Sequence, residues 1–207
     1  MIKYDAIIFD LGGVLISSPF GALSDGARAA GIDPVEYAEL FIGYASPTHP
    51  WHECERGEIT YETYTAQTQA LISAAGHDVD PGQFLSVLET LYVHEALLDK
   101  VRLLRKTGYK TAILTNNIAE YRVWWRNRIP VGELFDTVVD SHEVGMRKPD
   151  AGIFALTLER LGGIAPQRCL FLDDAAVNIQ GAQRAGLDVI LVTGEQQAIA
   201  ALDAALS

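Results

Sequence analysis

Four stretches of the 207-residue chain carry an apolar run into residues able to do chemistry. Ala6-Ile7-Ile8-Phe9 runs into Asp10, with Leu11-Gly12-Gly13 behind it. Thr111-Ala112-Ile113-Leu114 runs into Thr115-Asn116-Asn117. Phe135 to Val139 is followed by a loop leading to Lys148-Pro149-Asp150, and Cys169-Leu170-Phe171-Leu172 ends in Asp173-Asp174. An unbroken apolar run closed by a turn signal reads as a strand buried on both faces. In an open parallel sheet such strands emerge at one edge, where ligands bind. A carboxylate, a hydroxyl, an amide, an ammonium and a carboxylate pair would then share one crevice. Carboxylates that close cannot all stay ionised without a cation, and a few of them plus water suit Mg²⁺. Gly12 and Gly13 let the backbone turn sharply and approach whatever Asp10 holds. Each residue alone has an ordinary explanation. Asp10 could bond its own turn, Thr115 could be a turn residue, Lys148 a solvated charge, and Asp173 or Asp174 a helix N-cap. Their joint occurrence at consecutive strand ends, in this order, points to a site.

The elements that must position these groups follow from the rest of the pattern. After Leu15-Ile16 the alternation of strand and helix stops, and Ser17-Ser18-Pro19 reads as a break. From there to about residue 93 the signals are helical. Asp33-Pro34-Val35-Glu36 combines an N-cap, Pro at the first helical position and Glu at the third. Thr60 starts a helix of about 15 residues that stops at Gly76, and Asp80-Pro81-Gly82-Gln83 precedes Phe84, Val87, Leu88 and Leu91 at helical spacing. From His94 onward helices and strands alternate. Ala96 to Lys106 reads as a helix stopped by Gly108, another helix carries Trp124 and Trp125, and Asp150 caps a helix to Leu161. A further helix runs to Ala185, Val189 to Val192 is a fifth strand, and a last helix closes the sequence. Strictly alternating strands and helices imply a parallel sheet with right-handed crossovers. The expected organisation is an α/β core over residues 1–16 and 94–207, with residues 17–93 inserted as a helical domain. Ser17-Ser18-Pro19 and the stretch near Val93 are the expected hinges.

Composition narrows the partners. Hydrophobic residues make up 49% and charged residues 21%, enough for a proper core. The net charge of −11 without a Lys/Arg cluster argues against nucleic acid and anionic membranes. There is no apolar run of transmembrane length, and the N-terminus has no signal-peptide layout. Cys54 and Cys169 lie far apart without metal-ligand spacing. A cytoplasmic, reducing setting is the expectation, with the protein a monomer or homodimer.

Phe9-Asp10-Leu11-Gly12-Gly13-Val14-Leu15, Leu114-Thr115-Asn116, Lys148-Pro149-Asp150 and Phe171-Leu172-Asp173-Asp174 with Asn178 resemble the four motifs of the haloacid dehalogenase (HAD) superfamily. Their order and spacing cover residues 6 to about 193. Trp51-His52-Glu53-Cys54-Glu55-Arg56-Gly57-Glu58-Ile59 is similar to the cap of a subgroup that includes the N-terminal phosphatase domain of soluble epoxide hydrolase. The resemblance implies a Rossmann-like core with a helical cap inserted after the first motif. It implies a Mg²⁺-dependent phosphatase for a small phosphorylated metabolite, with Asp10 as the nucleophile that forms an aspartyl-phosphate. Asp10, Asp174 and the backbone carbonyl of Gly12 are the implied metal ligands, with Asp173 a further or outer one. Thr115, Asn116 and Lys148 would hold the transferring phosphoryl oxygens and stabilise its charge.

One position departs from the pattern. Phosphatases of this family usually carry a second Asp two residues after the nucleophile, acting as general acid and then base; here Gly12 stands in its place. Three outcomes stay open: slow turnover, restriction to good leaving groups such as acyl, aryl or glycosyl phosphates, or replacement by a cap residue, with His49, His52 and Glu53 as candidates. Two other function classes compete. A metal-free dehalogenase would use Asp10 against carbon, but the Asp173-Asp174 pair would repel an anionic substrate. A catalytically silent binding or oligomer module is the other, and retention of Asp10, Lys148 and the Asp pair argues against it. The cap should choose the substrate, with Tyr44, Trp51, Tyr61 and Tyr64 as candidate pocket residues, although aromatics at helical spacing are more often core.

Overall fold

The computed structural model of the chain describes residues 3–43, 46 and 48–207. Five strands form one sheet: β1 (Ala6–Phe9), β2 (Lys110–Thr115), β3 (Thr137–Asp140), β4 (Cys169–Asp173) and β5 (Asp188–Leu191). Their order is β3-β2-β1-β4-β5, and every neighbouring pair is parallel. β1 is therefore central, and all four residues of its apolar run are buried. The sheet edge at the strands' carboxyl ends gathers Asp10, Thr115, Asp140 and Asp173, as a parallel arrangement requires.

The two faces of the sheet bury alternate residues, because successive side chains of a strand point to opposite sides. Ile7, Phe9, Ile113, Leu170 and Leu172 pack with Leu97, Leu98, Val101 and Leu104 of α6 (Glu95–Lys106) and with Ala198 and Leu202 of the C-terminal helix (Glu195–Leu206). Ala6, Ile8, Ala112, Leu114 and Phe171 pack on the other face, against Ile153, Phe154 and Leu158 of the helix Ala151–Arg160 and Ala182 of the helix Ala176–Arg184. Three short helices, Arg122–Arg126, Val131–Leu134 and Ser141–Val144, lie between β2 and the helix Ala151–Arg160. These three are α7, α8 and α9, and the helices Ala151–Arg160, Ala176–Arg184 and Glu195–Leu206 are α10, α11 and α12.

Between β1 and α6 come five helices: α1 (Pro19–Ala30), α2 (Pro34–Ile42), α3 (Pro50–Glu55), α4 (Tyr61–Ala74) and α5 (Phe84–Leu88). The starts of α2 and α4 follow the capping signals read from the sequence. The Ser18, Asp33 and Thr60 side chains each accept a hydrogen bond from the first turn of the helix that follows. The chain leaves the sheet and returns along one seam. Ile16 bridges to Val93, Ser17 N donates to Tyr92 O at 2.8 Å, and His94 N donates to Leu15 O at 2.9 Å.

Two elements differ from the sequence reading. The third strand begins at Thr137 rather than Phe135. Phe135 instead follows α8 and packs its ring edge-on to Phe9, with centroids 6.2 Å apart, so its hydrophobicity serves the core without strand pairing. The helix after Asp80 is a 3₁₀ turn, Pro81–Gln83, followed by α5, which ends at Leu88. Leu91 is buried from an irregular segment beyond it.

Candidate active site

Asp10 stands one residue past β1 and is still zipped to β4, its N–H donating to Leu172 O at 2.9 Å. Its Oδ1 accepts from Leu11 N at 2.7 Å and lies 2.7 Å from Lys148 Nζ. The same Nζ reaches Asp173 Oδ2 at 2.6 Å. Lys148 is 1% exposed and Asp173 fully buried, so this ammonium bridges two carboxylates out of contact with water. Asp173 is saturated by further donors: Asn178 Nδ2 at 3.1 Å to each carboxylate oxygen and Ala175 N at 2.8 Å. Asp174 accepts from Ser18 Oγ at 3.1 Å.

One oxygen from each of Asp10, Asp173 and Asp174 lies within 4.8 Å of the others. Room for this exists because Gly13 has no side chain. Its φ is +72°, and a Cβ there would fall 1.9 Å from Asp174 Oδ2. Three ionised carboxylates against one ammonium would leave the cluster with two negative charges in excess. The acid–base balance reflects this. Burial pushes the Asp10 carboxyl well above its usual range, opposed by Lys148 and reinforced by the charges of Asp173 and Asp174. Burial, then the neighbouring Asp173, pushes Asp174 up to about 6. Burial works against the Lys148 ammonium, but Asp10 and Asp173 outweigh it and hold its pKa above the usual value. Hard oxygen donors with two uncompensated charges fit a divalent ion of the Mg²⁺ type.

Thr115 and Asn116 lie where they were expected, at the end of β2 beside the cluster, and both line the same cavity as Asp10 and Lys148. Asn116 is bonded to the backbone of Lys148. Its Nδ2 donates to Lys148 O at 3.0 Å and its Oδ1 accepts from Lys148 N at 2.8 Å. The amide thus clamps the main chain that carries Lys148, a positioning role that the spacing of the motifs did not reveal.

The cavity measures about 490 Å³ and is walled by both parts of the molecule. The sheet edge supplies Asp10, Gly12, Thr115, Asn116, Lys148 and Asp174; the inserted helices supply Phe20, Leu23, Trp51, His52, Glu55 and Phe84, among others. Of the residues expected from the insertion, His52 and Trp51 reach the cavity. His49 is tied up as the cap of α3, its Nδ1 accepting from Trp51 N at 3.1 Å and its Nε2 bonded to Leu40 O at 3.0 Å. Glu53 is not among the lining residues. Tyr64 is fully buried and donates to Phe41 O, and Tyr61 donates to Pro81 O, so both serve the insertion's own packing. Tyr44 lies outside the described residues. Two contributors went unnoticed in the sequence. Ser18 read only as part of a break, yet it holds Asp174. Glu55 of α3 forms an ion pair with Arg147 at 2.8 Å, across 92 residues of chain and next to Lys148.

Residues 4–186 match the haloacid dehalogenase-like hydrolases. The chain belongs to that family. It is 32% identical to acyl-CoA dehydrogenase family member 10 of Mus musculus, over 99% of this chain but 19% of that protein. It is 25% identical to bifunctional epoxide hydrolase 2 of Rattus norvegicus, over 94% of this chain and 37% of that protein. The chain thus spans well under half the length of these curated relatives. Among solved structures, a HAD family enzyme from Bacteroides thetaiotaomicron, in complex with magnesium and inorganic phosphate, superposes with a TM-score of 0.70. The match covers 95% of this chain and 98% of that one at 23% identity, which establishes the shared fold.

Proposed function

We propose that this HAD-like hydrolase is a Mg²⁺-dependent phosphatase acting on a small phosphorylated metabolite through an aspartyl-phosphate on Asp10. The observation that carries the reading is the buried chain of charges Asp10–Lys148–Asp173, with Asp174 alongside, at the carboxyl edge of the sheet. The likeness to a fold that holds magnesium and phosphate supports it.

Asp10 and Asp174 would hold the metal, with the Gly12 carbonyl as a further ligand. Asp173, already committed to Lys148, Asn178 and Ala175, would steady them from behind. Bound Mg²⁺ supplies the charge that keeps the carboxylates ionised and offsets their repulsion of an incoming phosphate. The chain's own groups do the rest. Leu11 N–H and Lys148 fix the Asp10 carboxylate from one side, so its other oxygen can face phosphorus. Thr115 and Lys148 bind the phosphoryl oxygens and stabilise charge as it shifts in the transition state. Asn116 keeps Lys148 in place. The inserted helices act as a cap that walls the leaving group from water and chooses it by shape. Halide displacement from a carboxylic acid fits less well, since the cluster lacks positive charge to spare for a substrate carboxylate.

The test is phosphate release from p-nitrophenyl phosphate and a panel of phosphorylated metabolites. Release that needs Mg²⁺ and stops on chelation is the expected result. Absence of release across the panel from Mg²⁺-loaded protein, or halide release from 2-haloacids, would refute the reading.

A further inference from the structure

Away from the charged sheet edge, the cavity wall turns apolar. α1 contributes Leu23, α3 contributes Trp51, α5 contributes Phe84 and Leu88, and Leu91 follows from the segment after α5. Trp51 stands edge-on to two rings: Tyr64, with centroids 5.2 Å apart and planes at 65°, and Phe84, at 5.2 Å and 71°. Phe84 meets Phe41 edge-on at 6.1 Å. A packed aromatic cluster thus backs this wall and fixes its shape before a ligand arrives.

The same cavity keeps its lysine and arginine charges matched. Among the described lining residues these side chains are Arg56, Arg147 and Lys148. Lys148 lies between Asp10 and Asp173. Arg147 Nε donates to buried Glu55 at 2.8 Å. Arg56 forks onto Glu58 at 2.8 and 2.7 Å, and Glu53 and Asp150 add to the negative field around it. A ligand's second anionic group would have to displace one of these carboxylates or lie beside it, and either costs affinity.

We infer that the substrate is a phosphate monoester whose leaving group is apolar and uncharged, seated against Trp51, Phe84 and the leucines. Bisphosphates and phosphorylated carboxylic acids are turned away. The inference rests on the phosphatase reading, which puts the phosphoryl group at the sheet edge and leaves the continuous apolar part of the cavity to the rest of the molecule. An apolar group entering there releases water from both surfaces, and each methylene buried is worth about fourfold in affinity. A sugar would forfeit that gain, and its hydroxyls would give up water against a largely apolar wall. Trp51 and Phe84 are then specificity residues, and the Glu55–Arg147 pair is the element that withholds a cation from a second anion.

The experiment is calorimetry of the Mg²⁺-loaded protein with alkylphosphonates, whose P–C bond a phosphatase does not break, so binding is read without chemistry. From ethyl- to hexylphosphonate, affinity rises about twofold to fourfold per methylene. 6-Phosphonohexanoate, the same chain ending in a carboxylate, binds about tenfold more weakly than hexylphosphonate. Glu55→Gln leaves Arg147 without its carboxylate and closes most of that gap, whereas a merely loosened wall would weaken both ligands alike. Trp51→Ala flattens the rise along the series. The series on the unaltered protein decides the matter even if a variant fails to fold. An affinity that does not grow with chain length, or a carboxylate-ended ligand that binds as well as the alkyl one, would overturn the inference. Turnover of p-nitrophenyl phosphate, assayed in parallel, keeps the two readings apart. Turnover with a flat series removes the substrate class and leaves the phosphatase; a rising series with no ester hydrolysed removes the phosphatase reading and the leaving-group assignment with it.

Discussion

At the sheet edge, Asp10, Thr115 and Asp173 close three adjacent strands, and backbone pairing sets them side by side. In the insertion, His52 and Glu55 sit on a six-residue helix whose placement depends on a histidine cap, one ion pair and a glycine contact. Both regions wall the same cavity. The sheet edge concentrates buried charge that must be balanced internally, whereas the insertion contributes apolar surface with a few tethered polar groups. On the proposed function, chemistry is held rigid where topology enforces it, and selectivity rests on elements that packing could shift. Substitutions in the two regions should fail differently.

The largest effect belongs to Asp10. Asp10→Asn removes the proposed nucleophile and should lower phosphate release by about three orders of magnitude or more, as loss of a covalent catalyst does. It also removes one of three mutually repelling carboxylates, so the metal-free protein should melt no lower than before. A fall in activity matched by a collapse of the melting midpoint would argue that Asp10 is structural.

Lys148→Met should rank next. It leaves Asp10 and Asp173 buried without their shared cation. Removing one partner of a buried pair typically costs about 3–5 kcal/mol, and losing a donor to the transferring group typically costs about 10²–10³ in kcat. Urea unfolding with and without Mg²⁺ separates the two, because added metal should recover part of the stability but not the activity.

The contrast between regions also explains what could be read from the sequence. β1, β2 and β4 were legible because each is an unbroken apolar run closed by a polar residue, and parallel topology then dictates where those closing residues meet. β3 was displaced by two residues because Phe135 is as hydrophobic as a strand residue but packs from the end of α8. In the insertion the capping residues Asp33 and Thr60 were legible, since Asp or Thr before a Pro or a helical run has a local cause. What helical periodicity did not separate was Tyr64, turned into the insertion's core, from Trp51, turned to the cavity. The Glu55–Arg147 pair spans 92 residues and leaves no local pattern at all.

A pH titration of metal binding tests the charge balance of the sheet edge directly. In the metal-free protein burial and Asp173 raise Asp174 to about 6, above its unfolded value. A raised carboxyl pKa means the folded protein holds a proton that the unfolded chain has lost. Asp174 therefore favours folding most at low pH, and that contribution fades as pH rises through about 4 to 6. Mg²⁺ competes with the same proton. Its apparent affinity should weaken as pH falls through about 6, with proton release on binding. Calorimetry in two buffers of different ionisation enthalpy measures both. An affinity flat from pH 5 to 7 would exclude Asp174 as a ligand.

The smallest expected effects lie where α3 meets the core, and they sharpen the comparison most. Gly57→Ala places a Cβ 2.7 Å from the His142 carbonyl oxygen at a residue with φ of +67°. The residue must strain or the helix must lift, at a cost of about 1 kcal/mol. Glu55→Gln keeps the shape but removes the charge that faces Arg147. Either change should raise KM a few-fold by loosening the cavity wall, with kcat for an aryl phosphate altered less. Neither touches a carboxylate of the Asp10–Asp173–Asp174 cluster or the Ser18 hydroxyl that steadies Asp174. Mg²⁺ affinity should therefore stay within about twofold of the unaltered protein, because contacts outside a shared network add independently. If it instead fell in step with KM, the link would have to run from Glu55 through Arg147 to the neighbouring Lys148, and the insertion would be part of the charged site rather than its wall.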